Sequence, residues 1–385
     1  MKEKSKRRIA IYLYDTRKPY VGLGEMENAL ATRLADRAGK LKEKYGLQFC
    51  FIVPKEKKGC YGNDVEYMVF GKRHEILYKY PMLNPLAKRL FPKAELVHWC
   101  QQLPKLCETY SPHTLITVHD INFMHNGLKI REIERKKKRI RQSLDKATHL
   151  SFISHFTAAD VRSNFDIRQP YRIVYNGVTD LQAVETSCDM SLPDRYLFHL
   201  SSLDSKKNPH LLVAMMRYLP DQNLVLAGKG DISELCDIVR KHKLQNVFFK
   251  GLVSTEEKAH LYARCEAFLF PSLSEGFGLP VLEAMCFGKP TFISRLTSLP
   301  EIGGEVSRYF DTLEPEAMAA VVRQGLAEYR RDEETWNERI KRHAKLFSWD
   351  KAADEYIDYY LDILRIPKSE EEEDHSFSAS LTKDT

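Results

Sequence analysis

The feature that most constrains the fold is a regular alternation of short apolar runs with longer amphipathic stretches along 385 residues. The predicted strands are Ile9–Asp15, Gln48–Val53, Glu66–Phe70, Leu96–Trp99, Thr114–His119, Leu150–Ile153, Arg172–Tyr175, Tyr196–Ser201, Asn223–Ala227, Val247–Phe249, Ala267–Phe270 and Thr291–Ile293. Strands that alternate with helices form parallel sheets covered on both faces. Because these strands are too many for one comfortable doubly wound sheet, we expect an α/β chain with two Rossmann-like domains and a ligand site between them.

The length also favours two domains, because 385 residues exceed what one core usually supports. The predicted segments are a first domain (1–178), a polar linker (179–194), a second domain (195–346), a helix (347–366) and an acidic tail (367–385). Ser348 is a suitable N-cap for that helix, in which apolar and aromatic residues recur at helical spacing. The tail has no core pattern, so we expect it to be disordered.

The composition excludes several classes of protein. Hydrophobic residues make up 43% and charged residues 29%, which is typical of a globular chain. The apolar runs are far shorter than the roughly 20 residues of a membrane span, and the first of them contains Asp15 and is too short for a signal peptide. The eight cysteines form no C-x-x-C pair and no zinc spacing. We therefore expect buried thiols, no structural metal and a cytoplasmic, soluble or peripheral protein.

Charge is distributed unevenly between the two halves. Residues 1–180 carry a net charge of +15 and residues 181–385 a net charge of −9. The segment Arg131–Arg141 holds seven basic and two acidic residues on a predicted helix, and Pro81–Lys93 mixes apolar and basic residues. A solvated helix face and a surface that docks on anionic lipid headgroups are equal alternatives for the first segment. The sequence contains no basic motif interleaved with aromatic residues, so we do not expect it to bind nucleic acid.

The most specific motif lies in residues 268–290, FLFPSLSEGFGLPVLEAMCFGKP. It places Glu275 and Glu283 eight positions apart around a glycine-rich turn. A helix is predicted to begin near Leu279–Pro280, because proline is tolerated in a first turn. The turn amides can then point at an anion on the helix N-terminus. An ordinary strand–turn–helix unit with solvated acids is the competing interpretation.

The string S-E-G-F-G-L-P-x-L-E-A-M-x-x-G-x-P in that segment resembles the E-x7-E signature of retaining nucleotide-sugar glycosyltransferases of the GT-B fold, typified by glycosyltransferase family 4. The resemblance implies two Rossmann-like domains that face each other across a deep cleft, with the donor on the second and the acceptor on the first. It implies that Glu275 holds hydroxyls of the donor hexose and that Glu283 holds the ribose hydroxyls. The implied donor-binding residues between them are Gly276, Phe277, Gly278 and Leu279.

Two segments of the first half match the same family at strand ends. Gly22 and Gly24 fall on its glycine-rich donor loop, although Leu23 separates glycines that are adjacent in the family. His119 falls on a histidine that faces the transferring sugar, and Asp120 is expected to orient groups on the acceptor side. A structural histidine–aspartate pair is the alternative.

Segments of the second half match the family's diphosphate and base contacts. Lys207 falls on a lysine that clamps the diphosphate, whereas Ser202 occupies the position of the family's arginine and Lys206 can supply the missing charge. Cations suit this place because the leaving diphosphate gains negative charge as the glycosidic bond breaks, although lysines after a strand are often only solvated surface. The other implied donor contacts are Gly228, Lys229 and Val253.

The resemblance therefore implies a retaining hexosyltransferase that uses GDP-mannose or a UDP-sugar and acts in surface polysaccharide or glycoconjugate assembly. The acceptor would be a glycan or a lipid-linked oligosaccharide, and the basic first domain could approach the inner face of an anionic membrane. No metal and no other cofactor is expected, because lysines and helix N-termini would offset the diphosphate charge. The alternatives are a GT-B sugar-nucleotide epimerase, a phosphorylase, for which nothing marks a phosphate pocket or cofactor lysine, and a non-catalytic sugar-nucleotide-binding protein, which the serine at 202 would favour.

Overall fold

The computed structural model of the chain describes residues 7–18, 22–79, 91, 93–103, 111–125, 129–185 and 192–368. Within this part of the chain lie thirteen β-strands and twelve α-helices, which form two parallel sheets covered by helices. Most of the segment Pro81–Lys93 and of the predicted tail lies outside the described residues, as does the beginning of the glycine-rich loop.

The first sheet has seven strands in the order β3-β2-β1-β4-β5-β6-β7, and every pairing is parallel. The strands are β1 (Arg7–Tyr12), β2 (Leu47–Val53), β3 (Glu66–Val69), β4 (Leu96–Trp99), β5 (His113–Val118), β6 (His149–Phe152) and β7 (Tyr171–Ile173). The helices that cover this sheet in sequence are α1 (Gly22–Tyr45), α2 (Lys72–Lys79), α3 (Ile130–Leu144) and α4 (His155–Asn164). The part of the chain that builds this sheet is called the first domain below.

The second sheet has six strands in the order β10-β9-β8-β11-β12-β13. The strands are β8 (Leu197–Leu200), β9 (Leu224–Ala227), β10 (Val247–Gly251), β11 (Ala267–Phe270), β12 (Thr291–Ser294) and β13 (Arg308–Phe310). Its helices are α5 (Pro209–Met215), α6 (Ser233–His242), α7 (Thr255–Arg264), α8 (Leu279–Cys286), α9 (Leu299–Gly303), α10 (Pro315–Arg331) and α11 (Glu333–Ala344). This part of the chain is called the second domain, and the two sheets confirm the predicted fold class.

All twelve predicted strands are present, with ends shifted by at most three residues. The strand β13 was not predicted, because its three residues are too few to show a pattern at the edge of a sheet. The start of the first helix differs from its prediction, since Gly22 and Gly24 were predicted in a loop but lie in the first turn of α1. A side chain at Gly24 would overlap the carbonyl oxygen of Lys18, so the glycine allows the first helical turn to lie directly against the preceding loop.

The last helix, α12 (Trp349–Ile363), packs in the core of the first domain, against α1 and the first sheet. Ser348 caps it, as predicted, by accepting a hydrogen bond from the Lys351 amide. The Tyr356 hydroxyl lies 2.9 Å from Thr117 Oγ1, and the Tyr360 hydroxyl lies 2.7 Å from His98 Nδ1. These buried polar contacts fix the register of α12 on the sheet, because leaving any of the groups unpaired would cost free energy.

None of the described helices combines the length and the apolar character that crossing a bilayer requires.

Candidate active site at the domain contact

The two domains touch where the loop after β11 meets the end of β5. A side chain at Gly276 would begin 2.5 Å from the carbonyl oxygen of His119, so only glycine fits this contact without movement. The hydroxyls of Ser154 and Thr157 lie 3.1 Å and 3.3 Å from the Gly276 carbonyl oxygen. Ser274 Oγ donates to Asn122 Oδ1 over 2.7 Å. The glycine-rich turn of the second domain is thus in contact with the strand end that carries His119.

The same turn is held from behind by the loop that follows β12. Thr297 Oγ1 accepts from the Glu275 amide at 3.1 Å, and Ser298 Oγ donates to the Phe277 carbonyl at 2.9 Å. The φ angle of Gly278, just before α8, is 115°, a conformation that favours glycine. Among the described residues, none accepts a hydrogen bond from the amides of residues 276–278. These amides are therefore available to an anion at the start of α8.

Lys207 and Glu275 form an ion pair between the loops that follow β8 and β11. Lys207 ends a short 3-10 turn that Asp204 caps, and its ammonium also lies 5.5 Å from the centre of the Phe270 ring. Asn208, in a left-handed conformation, donates from its side chain to the Pro271 carbonyl at 2.8 Å. The structure thus brings together the two residues that the sequence assigns to the diphosphate and to the hexose.

Glu283 lies on α8 with its side chain only 5% exposed, and both of its carboxylate oxygens are bonded. Lys258 Nζ donates to Oε1 at 2.7 Å, and the Tyr262 hydroxyl donates to Oε2 at 2.8 Å. Glu25, near the start of α1 in the first domain, acts electrostatically on both Lys258 and Glu283. Burial, and then the charge of Glu283, raise the pKa of Glu25, whereas Lys258 and a hydrogen bond from Thr179 oppose that rise.

His119 is partly buried and is oriented by the backbone. Its Nε2 lies 2.8 Å from the Cys100 carbonyl oxygen, which can only accept, so Nε2 carries the proton. Burial lowers the pKa of His119, against the opposing effects of this hydrogen bond and of Asp120. The imidazole is therefore neutral at pH 7, and its Nδ1 is left as an acceptor for a hydroxyl group. Asp120 accepts from the Asn122 amide at 3.0 Å and shapes the turn after β5.

Three further predicted site residues, Ser202, Lys206 and Gly228, lie in the loops that follow β8 and β9. Ser202 donates to Asp204 Oδ2 at 2.7 Å, and the Lys206 carbonyl accepts from the Leu273 amide at 2.8 Å. A side chain at Gly228, whose φ is 131°, would overlap the Ser201 carbonyl oxygen, so this loop requires glycine.

Four other predicted donor contacts form no hydrogen bond or ion pair with Lys207, Glu275 or Glu283 among the described residues. Lys229 is exposed, and Val253 is half-buried against the core of the second domain. Gly22 and Gly24, predicted in a loop, lie in the first turn of α1.

Sequence reasoning missed several residues of this site, namely Glu25, Asn122, Lys258, Tyr262, Thr297, Glu301 and Gln102, whose Oε1 accepts from the His119 amide at 3.2 Å. A signal did exist for two of them. Lys258 and Tyr262 are spaced by four positions on α7, so they share one helix face, which is otherwise buried. A lysine on an otherwise buried face indicates a buried anionic partner.

Glu301 connects the domains by a second contact. This residue of α9 accepts from the first two amides of α4, those of His155 at 2.7 Å and Phe156 at 3.1 Å, and from the Tyr175 hydroxyl at 2.6 Å. A carboxylate in this position is favourable, because it pairs free amide groups and faces the positive end of the helix dipole. Among the described residues, no group of three or more His, Cys, Asp or Glu side chains is arranged to hold a metal ion.

Comparison with known proteins shows which proteins this chain is similar to. Residues 190–343 match the family described as glycosyl transferases group 1. Solved structures with the same fold include sucrose-phosphate synthase from Thermosynechococcus elongatus (TM-score 0.70, 19% identity, covering 94% of this chain and all of that one). They also include Anabaena HepE in complex with UDP and glucose (TM-score 0.69, 16% identity, covering 92% of this chain and all of that one). The chain has the GT-B fold, and its residues 190–343 are similar to the group 1 glycosyl transferases.

The chain is also similar in sequence to two mannosyltransferases of Escherichia coli. The chain is 26% identical over 379 residues to the O-antigen chain mannosyltransferase B of Escherichia coli, an alignment that covers 89% of this chain and 96% of that protein. It is 31% identical over 206 residues to the serotype-specific mannosyltransferase WbdA of Escherichia coli, covering 50% of this chain and 24% of that protein. The first of these relatives is therefore matched along nearly its whole length.

The contact through Glu301 gives a prediction that hydrogen exchange can test. Glu301→Ala removes the acceptor of two helix amides, so the amides of His155 and Phe156 should exchange about tenfold faster, since such a contact contributes about 1 to 2 kcal/mol. Glu305→Ala, at an exposed glutamate of the following turn, is the control and should change neither amide. Unchanged exchange in Glu301→Ala would show that the domains do not maintain this contact in solution.

Proposed function

We propose that this chain is a retaining hexosyltransferase that moves a sugar from a nucleoside diphosphate to a glycan or lipid-linked acceptor. The observation that carries the proposal is the Lys207–Glu275 ion pair beside the glycine-rich turn, at the place where the two domains touch. A cation, a carboxylate and free helix amides are the groups that a sugar diphosphate requires. Buried Glu283 adds a second carboxylate on the far side of the same turn.

The arrangement suggests how the donor would bind. The diphosphate would lie on the amides of residues 276–278 and against Lys207, which would then share its charge with the ligand. Without a ligand, Lys207 and Glu275 compensate each other, which limits the cost of keeping two mostly buried charges. When the diphosphate attracts Lys207, the Glu275 carboxylate becomes free to accept hydrogen bonds from hexose hydroxyls.

The chemical step would retain the anomeric configuration by a front-face displacement. The bond between the anomeric carbon and the diphosphate oxygen breaks, and the acceptor oxygen bonds to that carbon on the same face. The acceptor proton passes to the departing diphosphate, whose negative charge Lys207 and the α8 amides stabilise. Nδ1 of neutral His119 would accept a hydrogen bond from a hydroxyl group of the transferring sugar. Asp120 would hold the neighbouring turn on the acceptor side.

The similar proteins support the choice of substrates. Two Escherichia coli relatives are named as mannosyltransferases, one of the O-antigen chain, which favours GDP-mannose and a surface polysaccharide acceptor. The HepE structures contain UDP or UDP-glucose, which keeps a UDP-sugar as the second donor. A thermal-shift panel of GDP, UDP and ADP would identify the base, because a bound nucleotide stabilises the folded state by mass action.

Transfer of label from the donor to lipid-linked acceptors tests the function, and Lys207→Ala tests the site. We expect this variant to fold normally and to lose at least about a hundredfold in turnover, because each donor to developing charge contributes about that factor or more. Lys241→Ala, at an exposed lysine of α6, is the control and should keep wild-type turnover. Wild-type turnover in Lys207→Ala would contradict the role in the diphosphate site, and nucleotide binding without transfer would favour a non-catalytic binding protein.

We also propose that catalysis needs no metal ion, because Lys207 and the amides at the start of α8 are positioned to offset the diphosphate charge. Turnover should therefore be unchanged after dialysis against EDTA and should not rise when Mg²⁺ or Mn²⁺ is restored. Loss of turnover on chelation, with recovery on adding one of these ions, would contradict this proposal. A metal-dependent glycosyltransferase assayed in the same buffers is the control for the chelation step.

The basic helix α3 supports a further proposal, that the first domain docks on anionic lipid. One face of α3 is buried at Ile140, Ser143 and Leu144, whereas its basic residues are mostly exposed. Each exposed cation contributes about 1 kcal/mol near an anionic bilayer. A lipid-linked acceptor would then be within reach of the first domain.

Vesicle sedimentation tests this docking. Reversing Arg135, Lys138 and Arg139 to glutamate should weaken binding to phosphatidylglycerol-containing vesicles by about a hundredfold or more. The control reverses Lys241, Arg264 and Lys345, three exposed residues of the second domain, and so changes the net charge equally. Equal effects of the two triple variants would mean that only net charge matters and would contradict docking through α3.

A further inference from the structure

Lys258 is a largely buried lysine that the proposed transfer step does not use. Its side chain is 21% exposed, and its ammonium lies 2.7 Å from Glu283 Oε1. Tyr262, one helical turn later on α7, holds the other oxygen of the same carboxylate at 2.8 Å. Two residues on one face of α7 thus hydrogen-bond both carboxylate oxygens of Glu283 and fix the plane of the carboxylate.

The helix α7, which contains Lys258 and Tyr262, is held in place by its N-terminal cap and by its buried side chains. Ser254 and Glu257 form a reciprocal capping box, with the Ser254 amide 2.7 Å from Glu257 Oε2 and the Glu257 amide 3.2 Å from Ser254 Oγ. Ala259 and Leu261 are fully buried on the core side of α7. Lys258 therefore extends from a rigid element, which is what precise placement of a second residue requires.

The surrounding charges keep Lys258 an ammonium. Burial acts to lower the pKa of Lys258, but the charge and hydrogen bond of Glu283, together with the charge of Glu25, outweigh it and raise that pKa. Without this cation, Glu283 would be a buried carboxylate with no charged partner, which is strongly destabilising.

We propose that Lys258, assisted by Tyr262, is a positioning residue that makes the site select ribonucleotides. The inference rests on the proposed function, in which Glu283 binds the ribose. An ionised carboxylate has about four acceptor positions, two on each oxygen. Lys258 and Tyr262 occupy one position on each oxygen, so one remains on each. Two fixed acceptors side by side match the adjacent 2′ and 3′ hydroxyls of ribose, and a deoxyribonucleotide leaves one acceptor of a buried ion unpaired.

The alternative is that Lys258 only compensates the charge of Glu283 and has no influence on which nucleotide binds. The two roles differ in what the removal of Lys258 would change. Loss of positioning weakens the binding of the ribonucleotide and leaves the deoxyribonucleotide little affected, so the preference between them collapses. Loss of charge compensation alone changes stability, or changes the binding of both nucleotides by the same factor.

Calorimetry on the full chain separates the two roles, using GDP and UDP with their 2′-deoxy and 3′-deoxy forms. The wild type should prefer the ribonucleotide by about ten- to a hundredfold, as expected for a hydrogen bond to a charged group. Lys258→Met should reduce this preference to within about threefold, and Lys258→Arg, which keeps the charge, should restore most of it. Arg264→Met, at an exposed residue of the same helix, is the control and should bind like the wild type.

Glu283→Gln distinguishes failure of this inference from failure of the proposed function. If Glu283→Gln keeps the wild-type preference, the ribose contact itself is wrong. Suppose instead that Glu283→Gln loses the preference. The positioning role of Lys258 is then overturned if Lys258→Met retains the preference, or if Lys258→Met weakens the binding of both nucleotides by the same factor. Should Lys258→Met not fold, Tyr262→Phe provides the same comparison, because it removes one hydroxyl group and keeps the packed ring. A reduced preference in Tyr262→Phe supports the inference, and an unchanged one overturns it.

Discussion

The geometry of the site depends on one missing side chain. At Gly276 the backbone of the second domain lies so close to the His119 carbonyl that a Cβ atom would begin 2.5 Å from it. This contact places the glycine-rich turn, and with it the start of α8, directly beside the end of β5. Glu275 and Glu283 flank the same turn, so both carboxylates take their positions relative to the first domain from it. The domains could not approach this closely with any other residue at 276, and the proposed donor and acceptor groups would then be separated.

A second feature of the site is that Glu275 and Glu283 each form an ion pair with a lysine. Lys207 neutralises Glu275, and Lys258 neutralises Glu283, so two ion pairs stand on either side of the turn. Their proposed roles differ because their surroundings differ. The first pair joins two loops and can exchange partners when a diphosphate arrives, whereas the second is held by a capped helix and a tyrosine and stays in place. The Lys207–Glu275 pair would respond to the charge of the diphosphate, and the Lys258–Glu283 pair would recognise the hydroxyl groups of the ribose.

Much of this architecture could be predicted from the sequence, for identifiable reasons. Buried parallel strands are continuous apolar runs, so segments such as β11 and β4 were predicted to the residue. The start of α8 was predicted because Pro280 marks a first turn. The three-residue strand β13 was missed because it is too short to show a period, and the start of α1 was misplaced because Gly24 suggested a loop where it serves close packing. The pairing of Lys258 with Glu283 joins residues 25 positions apart, and nothing in a linear pattern specifies such a contact.

The position of α12 has a consequence for the order in which the protein can mature. Translation produces the first sheet early, yet Tyr356 and Tyr360, which pair with Thr117 and His98 inside it, are added only near residue 360. Until the ribosome has released that segment, the emerging chain exposes the apolar groove that α12 later fills. Domains made first usually fold first, but here the first domain must wait for a helix that follows the second domain in the chain. Chaperones that cover apolar surface should therefore associate with nascent chains that end before residue 349 and leave once the helix is complete.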